Sequence, residues 1–165
     1  RRVARRVIAV DGIDARRELA AGLGAEAVDP DSAADAVAEA SGGLWADVVI
    51  EAAGAKPALD AAFGLARGRG TVCVVGAHFE PDYPLDAGRM FEAELSLRFA
   101  MGDPINDREL LLAMIASGEV RPSELISHRI GLPGASFTIS SITARLRASF
   151  SGASNTATKS RNSTR

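Results

Sequence analysis

The sequence predicts an α/β fold with a doubly wound parallel sheet, and three observations carry that prediction. Short runs of β-branched and apolar residues recur along the chain, each is followed by a stretch with helical spacing, and the runs are apolar on successive residues rather than alternate ones. Strands alternating with helices of this length imply parallel βαβ units joined by right-handed crossovers. Near-continuous apolar runs imply strands covered on both faces. Nothing repeats beyond that unit.

The first run, ARRVIAVD (4–11), reads as a strand ending in an acid. DARRELAAGLGA (14–25) puts Leu19 and Leu23 four apart on one helix face before Gly24 stops it. A short strand, EAVD (26–29), leads into Pro30, after which Asp31 or Ser32 caps an Ala-rich helix that ends at Gly42 and Gly43. ADVVIEAAG (46–54) is expected to lie in the sheet with both faces covered. Lys56 to Arg67 reads as a helix with Leu59, Ala62, Phe63 and Ala66 inward, and GTVCVVGA (70–77) as the next buried strand. A less regular stretch with Pro81 and Pro84 precedes the helix DAGRMFEAE (86–94) and the strand LSLRFAM (95–101). Asn106 or Asp107 caps the last clear helix, RELLLAMIASG (108–118).

Composition sets outer limits. The chain has 165 residues, 47% hydrophobic and 24% charged, with a net charge of −2, as expected of a globular domain in water. One cysteine precludes an internal disulfide, and with two histidines it leaves too few soft ligands for a closed structural zinc site. No apolar stretch approaches the roughly 20 residues that cross a bilayer, and Arg1 and Arg2 open no signal-peptide pattern, so the expected address is cytoplasmic with no membrane partner. The first residue is not Met and the first element starts within a few residues of it, which suggests a piece of something longer.

Charge divides the chain in two. Residues 1–135 hold 14 basic against 21 acidic side chains, about −7, while residues 136–165 carry five cations and no acid. That Ser/Thr-rich stretch has almost no large apolar side chain after Phe150, so it cannot offset an ordering cost of roughly 1–2 kcal/mol per residue. The expectation is a domain over 1–135 and a disordered basic tail over 136–165. Five dispersed cations without interleaved aromatics read as solvated rather than as a nucleic-acid surface. A shifted reading frame is another origin for such a tail.

Ligands of open α/β sheets bind beyond the C-terminal ends of the strands. The first run ends in Asp11. An acid there accepts two hydrogen bonds from a ribose diol and repels a 2′-phosphate, by about 4 kcal/mol for unit charges roughly 4 Å apart at an effective dielectric near 20, which favours NAD over NADP. The competing reading is an acid that caps the next helix. Glu51, ending a core strand, must face the crevice or be paired. Cys73, flanked by Val72 and Val74, reads as a small core hydrophobe with no adjacent base or cation. His78 follows the end of a strand, where a cofactor could reach it, but it and His128 read as exposed loop histidines, and Trp45 as an edge-packing residue. No Ser-His-Asp arrangement, nucleophile elbow, P-loop or metal-ligand spacing occurs.

The ordered series VIAVD, DARRELAAGLGAEAVD, DVVIEAAG, GRGTVCVVGA, ELSLRFAMGDP and LLLAMIASGEVRPSELISHRI resembles the cofactor domain of zinc-type medium-chain alcohol dehydrogenases over roughly residues 5–132. The resemblance implies a Rossmann-like sheet in which Asp11 holds the adenosine ribose, assisted by Arg16, and Gly54 lets the cofactor approach the backbone. It implies further that Val75, Gly76 and Ala77, and Phe99, Ala100 and Met101, present backbone groups to the nicotinamide carboxamide. The cofactor is then NAD, and the parent reaction is hydride transfer between an alcohol and nicotinamide, with zinc held by a catalytic domain whose ligands this chain lacks. No catalytic or metal residue is assigned. Zinc-independent reductases of the same superfamily stay open.

The G-x-G-x-x-G turn of that family belongs between a first strand and its helix, and this chain starts at the second strand, so its 1–135 region is a partial dinucleotide-binding domain. In the order 3-2-1-4-5-6 the first strand is central. Without it, ARRVIAVD and ADVVIEA each lose a partner unless they pair directly, and unpaired apolar edges invite aggregation. The expectation is a fragment that, alone, binds NAD weakly or not at all. Its partners would be the catalytic domain and a second copy through LSLRFAM, which matches the sixth strand. Alternatives are an adenosylmethionine-dependent methyltransferase, which also ends its second strand with a ribose-gripping acid, and a non-catalytic nucleotide-sensing or oligomerisation module.

Overall fold

The computed structural model describes residues 4–78 and 82–129. The proposed tail, 136–165, and the segment around Leu132 lie outside them. The chain divides at Gly102 into two units.

The first unit alternates strand and helix throughout: β1 (Ile8–Val10), α1 (Asp14–Gly22), β2 (Glu26–Val28), α2 (Ala33–Ser41), β3 (Ala46–Glu51), α3 (Lys56–Leu65), β4 (Ala66–Val74), α4 (Ala87–Glu92) and β5 (Ser96–Phe99). All strand pairs are parallel, as the βαβ reading requires. They form two sheets, β1-β2 and β3-β4-β5. Direct pairing of β1 with β3 is not realised, so among the described residues each keeps an unpaired edge. The second unit, over its described residues 103–129, holds α5 (Arg108–Ala116) and a 3-10 turn, Pro122–Leu125.

The helix ends follow local chemistry. α2 stops at Gly42 in the left-handed region (φ 64°), and the Gly43 N–H reaches back to the Ala38 carbonyl at 2.7 Å. Ser32 is its N-cap, yet the brace is Asp29, whose Oδ1 accepts the N–H of Asp31 (2.9 Å) and of Ser32 (3.0 Å). Asp86 caps α4 by accepting the Arg89 N–H at 3.0 Å.

The core sits on one face of the three-stranded sheet. Leu59, Ala62 and Phe63 of α3, as expected, pack with Val72 and Val74, and Val49, Ala66, Tyr83, Met90, Leu95 and Leu97 close round them. The opposite face departs from expectation. Val48 and Ile50 are 57% and 65% exposed, and Cys73, registered against Ile50, is half-buried outside the core. β3 is therefore covered on one face among the described residues, because α3 packs over Val49 while no described element of this unit lies over its neighbours.

β4 begins four residues before the expected Gly70. Ala66 pairs with Ala46 and Thr71 with Val48, so β4 carries three extra residues against β3, accommodated with Arg69 at φ 62°.

Candidate functional site

The residues singled out at the strand ends fall into two groups, one at each sheet. At the end of β1, Asp11 is one-third exposed along its side chain. Its Oδ1 accepts the Ile13 N–H at 2.8 Å, which braces the start of α1, and its Oδ2 is approached by Arg16 Nη1 at 3.4 Å. Asp11 does not cap α1 by a side-chain bond: one oxygen holds the N–H of the N-cap residue Ile13, while the other lies beside Arg16. Sequence reasoning missed Arg17. Its guanidinium bonds the Asp11 carbonyl at 2.7 Å and pairs with Asp14, fixing the backbone that carries the acid. The signal was available in the six-residue spacing to Asp11, which returns an α1 side chain to the strand end.

The second group lies beyond β3 and β4. Glu51, the last residue of β3, is buried, with its side chain 1% exposed. Its Oε1 accepts the N–H groups of Ala53 and Gly54, both at 2.8 Å, and its Oε2 accepts from His78 Nε2 at 2.7 Å. Burial by itself pushes this carboxyl up, but the bonds from His78, Gly54 and Ala53 outweigh it and leave Glu51 below the ordinary glutamate range. His78 is therefore not a solvated loop histidine. Its side chain is 18% exposed and tied to Glu51.

The Glu51 main chain binds the same loop. Its carbonyl accepts the N–H groups of Val75 (2.8 Å) and Gly76 (3.0 Å), and Val74 O accepts that of Ala100 at 2.9 Å. What Val75 and Gly76 can offer a ligand is carbonyl oxygen. Gly54, at φ 69°, leaves room for the neighbouring loop: a Cβ there would lie 2.8 Å from Ala77 O, and one on Gly76 would lie 2.3 Å from Gly54 N. Val75 is half exposed, Phe99 72% and Met101 99%, so the exits of β4 and β5 present an open surface.

A cavity of about 310 Å³ lined by Arg5, Arg6, Val7, Gly24, Ala25 and Glu26 lies at the opposite end of β1, away from these strand ends. Among the described residues no three His, Cys, Asp or Glu side chains converge as metal ligands, so they do not fit the zinc of the family named above. No described helix is long and apolar enough to cross a membrane.

Comparison with known proteins agrees with this architecture. Residues 3–117 match the family model described as zinc-binding dehydrogenase. The 2-dehydro-3-deoxy-L-galactonate 5-dehydrogenase of Pseudoalteromonas atlantica is 34% identical over 116 residues, 69% of this chain and 34% of that protein. Alcohol dehydrogenase TADH from Thermus sp. ATN1 superposes with a TM-score of 0.76 at 26% identity, over 86% of this chain and 42% of its own. A zinc-binding dehydrogenase target of Sinorhizobium meliloti 1021, solved bound to NADP, gives 0.71 at 30% identity, over 83% and 42%. The chain spans 18% to 34% of the length of the curated relatives it matches. A parallel α/β unit whose strand ends carry Asp11, Gly54 and Gly76, matched over most of its length by one family model, belongs to the zinc-binding dehydrogenase family.

Proposed function

We propose that this chain is the dinucleotide-binding part of an alcohol or polyol dehydrogenase, with Asp11 gripping the adenosine ribose. The carrying observation is the arrangement at the end of β1: a part-exposed carboxylate whose Oδ2 faces Arg16 and whose backbone is pinned by Arg17. The carbonyls of Val75, Gly76 and Ala77, with Phe99, Ala100 and Met101, then face the nicotinamide half. Zinc, where the parent holds it, would lower the pKa of an alcohol. This chain's residues bind and orient the dinucleotide. The family match over residues 3–117 favours this reading over the methyltransferase alternative.

NAD is the preferred dinucleotide on this reading, since Asp11 repels a 2′-phosphate. A second reading, NADP, is favoured by Arg16, whose side chain is 66% exposed beside Asp11, and by the NADP in the S. meliloti relative. The sequence contains no G-x-G-x-x-G, so the pyrophosphate gains no helix N-terminus here, and the chain alone is expected to bind NAD with Kd on the order of 1 mM, about −4 kcal/mol. We also infer self-association through the outer edge of β5.

Amide chemical shifts followed by NMR during titration test this reading. NAD is expected to shift Asp11, Gly12 and Ile13 as well as Val75 to Ala77, and to bind more tightly than NADP. Asp11→Asn should weaken NAD about tenfold, the loss of a charge-assisted bond, and bring the two ligands closer in affinity. Shifts confined to other surfaces overturn the site. Tighter NADP binding overturns the cofactor preference, and micromolar NADH binding overturns the weak-binding expectation.

A further inference from the structure

Two loops from neighbouring strands are fastened through one buried residue. Glu51 takes five donors: Ala53 and Gly54 N–H from its own turn and His78 Nε2 on its carboxylate, with Val75 and Gly76 N–H on its carbonyl. Three of the five come from the exit of β4. The fit has little slack, since a Cβ on Gly76 would lie 2.6 Å from Glu51 Oε2 and 2.7 Å from Gly54 Cα. A buried carboxylate is costly unless its oxygens are bonded, so removing a single donor should loosen both loops together.

We propose that Glu51 and His78 are positioning residues for the nicotinamide half of the dinucleotide, holding the Gly54 turn and the Val75–Ala77 backbone in one arrangement so that the loop carbonyls meet the carboxamide. The proposal rests on the dinucleotide reading above. His78 supplies the tie that crosses between the loops through side chains, and Glu51 the charge that receives it. Both act through the backbone of Val75 to Ala77, and the adenosine end at Asp11 belongs to the other sheet. Their loss should therefore fall on one half of the ligand.

The test compares NADH with ADP-ribose, which lacks the nicotinamide, by amide-detected NMR titration of the 165-residue chain. In the wild type NADH is expected to bind about tenfold more tightly and to shift Val75 to Ala77, while ADP-ribose shifts the residues around Asp11. His78→Phe keeps an aromatic ring and loses the donor. It should leave the ADP-ribose Kd unchanged and bring the NADH Kd up to it. His78→Gln, which restores an N–H of similar reach, should recover the wild-type ratio. If phenylalanine unfolds the chain, His78→Asn, too short to reach the carboxylate, carries the same comparison. An unchanged ratio in the donor-less variant, or equal weakening of both ligands, overturns the positioning role. ADP-ribose binding without any NADH preference in the wild type also overturns that role and spares the adenosine site, whereas no response to either ligand overturns the dinucleotide reading itself.

Discussion

At the scale of single residues, Tyr83 offers a direct spectroscopic handle because it is the one tyrosine in the chain. Its hydroxyl donates to Asp60 Oδ1 at 2.5 Å, Lys56 Nζ donates to Asp60 Oδ2 at 2.8 Å, and the same ammonium sits 5.3 Å from the centre of the tyrosine ring. Burial, and then the Asp60 carboxylate, push the phenol up to about 12. Phenolate absorbance should therefore titrate near that value, and Asp60→Asn should bring it down toward 10, the ordinary value. Because the folded pKa is the raised one, the stabilisation it represents is full below the ordinary value and is lost as pH climbs through the folded one. A wild-type titration near the ordinary value would mean that neither the burial of the ring nor the Asp60 bond holds in solution. Glu51 runs the other way. Its depressed pKa adds stability above the ordinary carboxylate range that is lost as pH falls through the folded value. Glu51→Gln should lower stability at neutral pH by about 1–3 kcal/mol and flatten that acid limb, as read from urea unfolding at a series of pH values.

Among the elements, the two faces of β3 make opposite predictions. Phe63 and Leu59 of α3 are 6% and 5% exposed against the sheet, so Phe63→Ala should cost about 3–5 kcal/mol in urea unfolding. Ile50, on the other face at 65% exposure, should tolerate Thr within about 0.5 kcal/mol. A core-sized loss at Ile50 would show that something covers that face in solution. The contrast also marks where the sequence was legible. Spacing identified Leu59, Ala62 and Phe63 as one helix face, and Gly42 with Gly43 as a helix stop, because each depends on neighbours three or four residues away. It overstated the burial of Val48, Ile50 and Cys73, because an apolar run reports what a strand is suited to touch and not what lies over it. It put β4 four residues too late, because the extra residues between Ala66 and Thr71 are set by pairing with β3 and leave no local pattern. Of the candidate site, Asp11 was legible as the acid closing an apolar run, whereas the Glu51–His78 tie joins positions 27 apart and no local pattern carries it.

For the molecule as a whole, the arrangement of sheet edges decides how copies should meet. β1 and β3 each leave an edge unpaired among the described residues, and so do β2 and β5 on their outer sides. The edges differ in what they invite. Pairing of β5 with β5 across a two-fold axis satisfies both copies and closes, giving a dimer of twice 17.1 kDa. Pairing of β1 on one copy with β3 on the next leaves β3 of the first and β1 of the second open to further copies, giving polydisperse assemblies where the series does not close. Phe99 and Met101, 72% and 99% exposed, give the β5 side an apolar border. We therefore expect light scattering during size-exclusion chromatography to show a concentration-dependent dimer. Phe99→Lys, by placing a charge on that border, should move it to monomer without changing the unfolding midpoint at dilutions where the wild type is also monomeric, since Phe99 lies outside the core. A dimer that persists in Phe99→Lys would exclude this edge, and a distribution of larger species would point to β1 and β3. In that second case the Asp11 end of β1 would lie next to the contact, and dinucleotide binding should then depend on protein concentration.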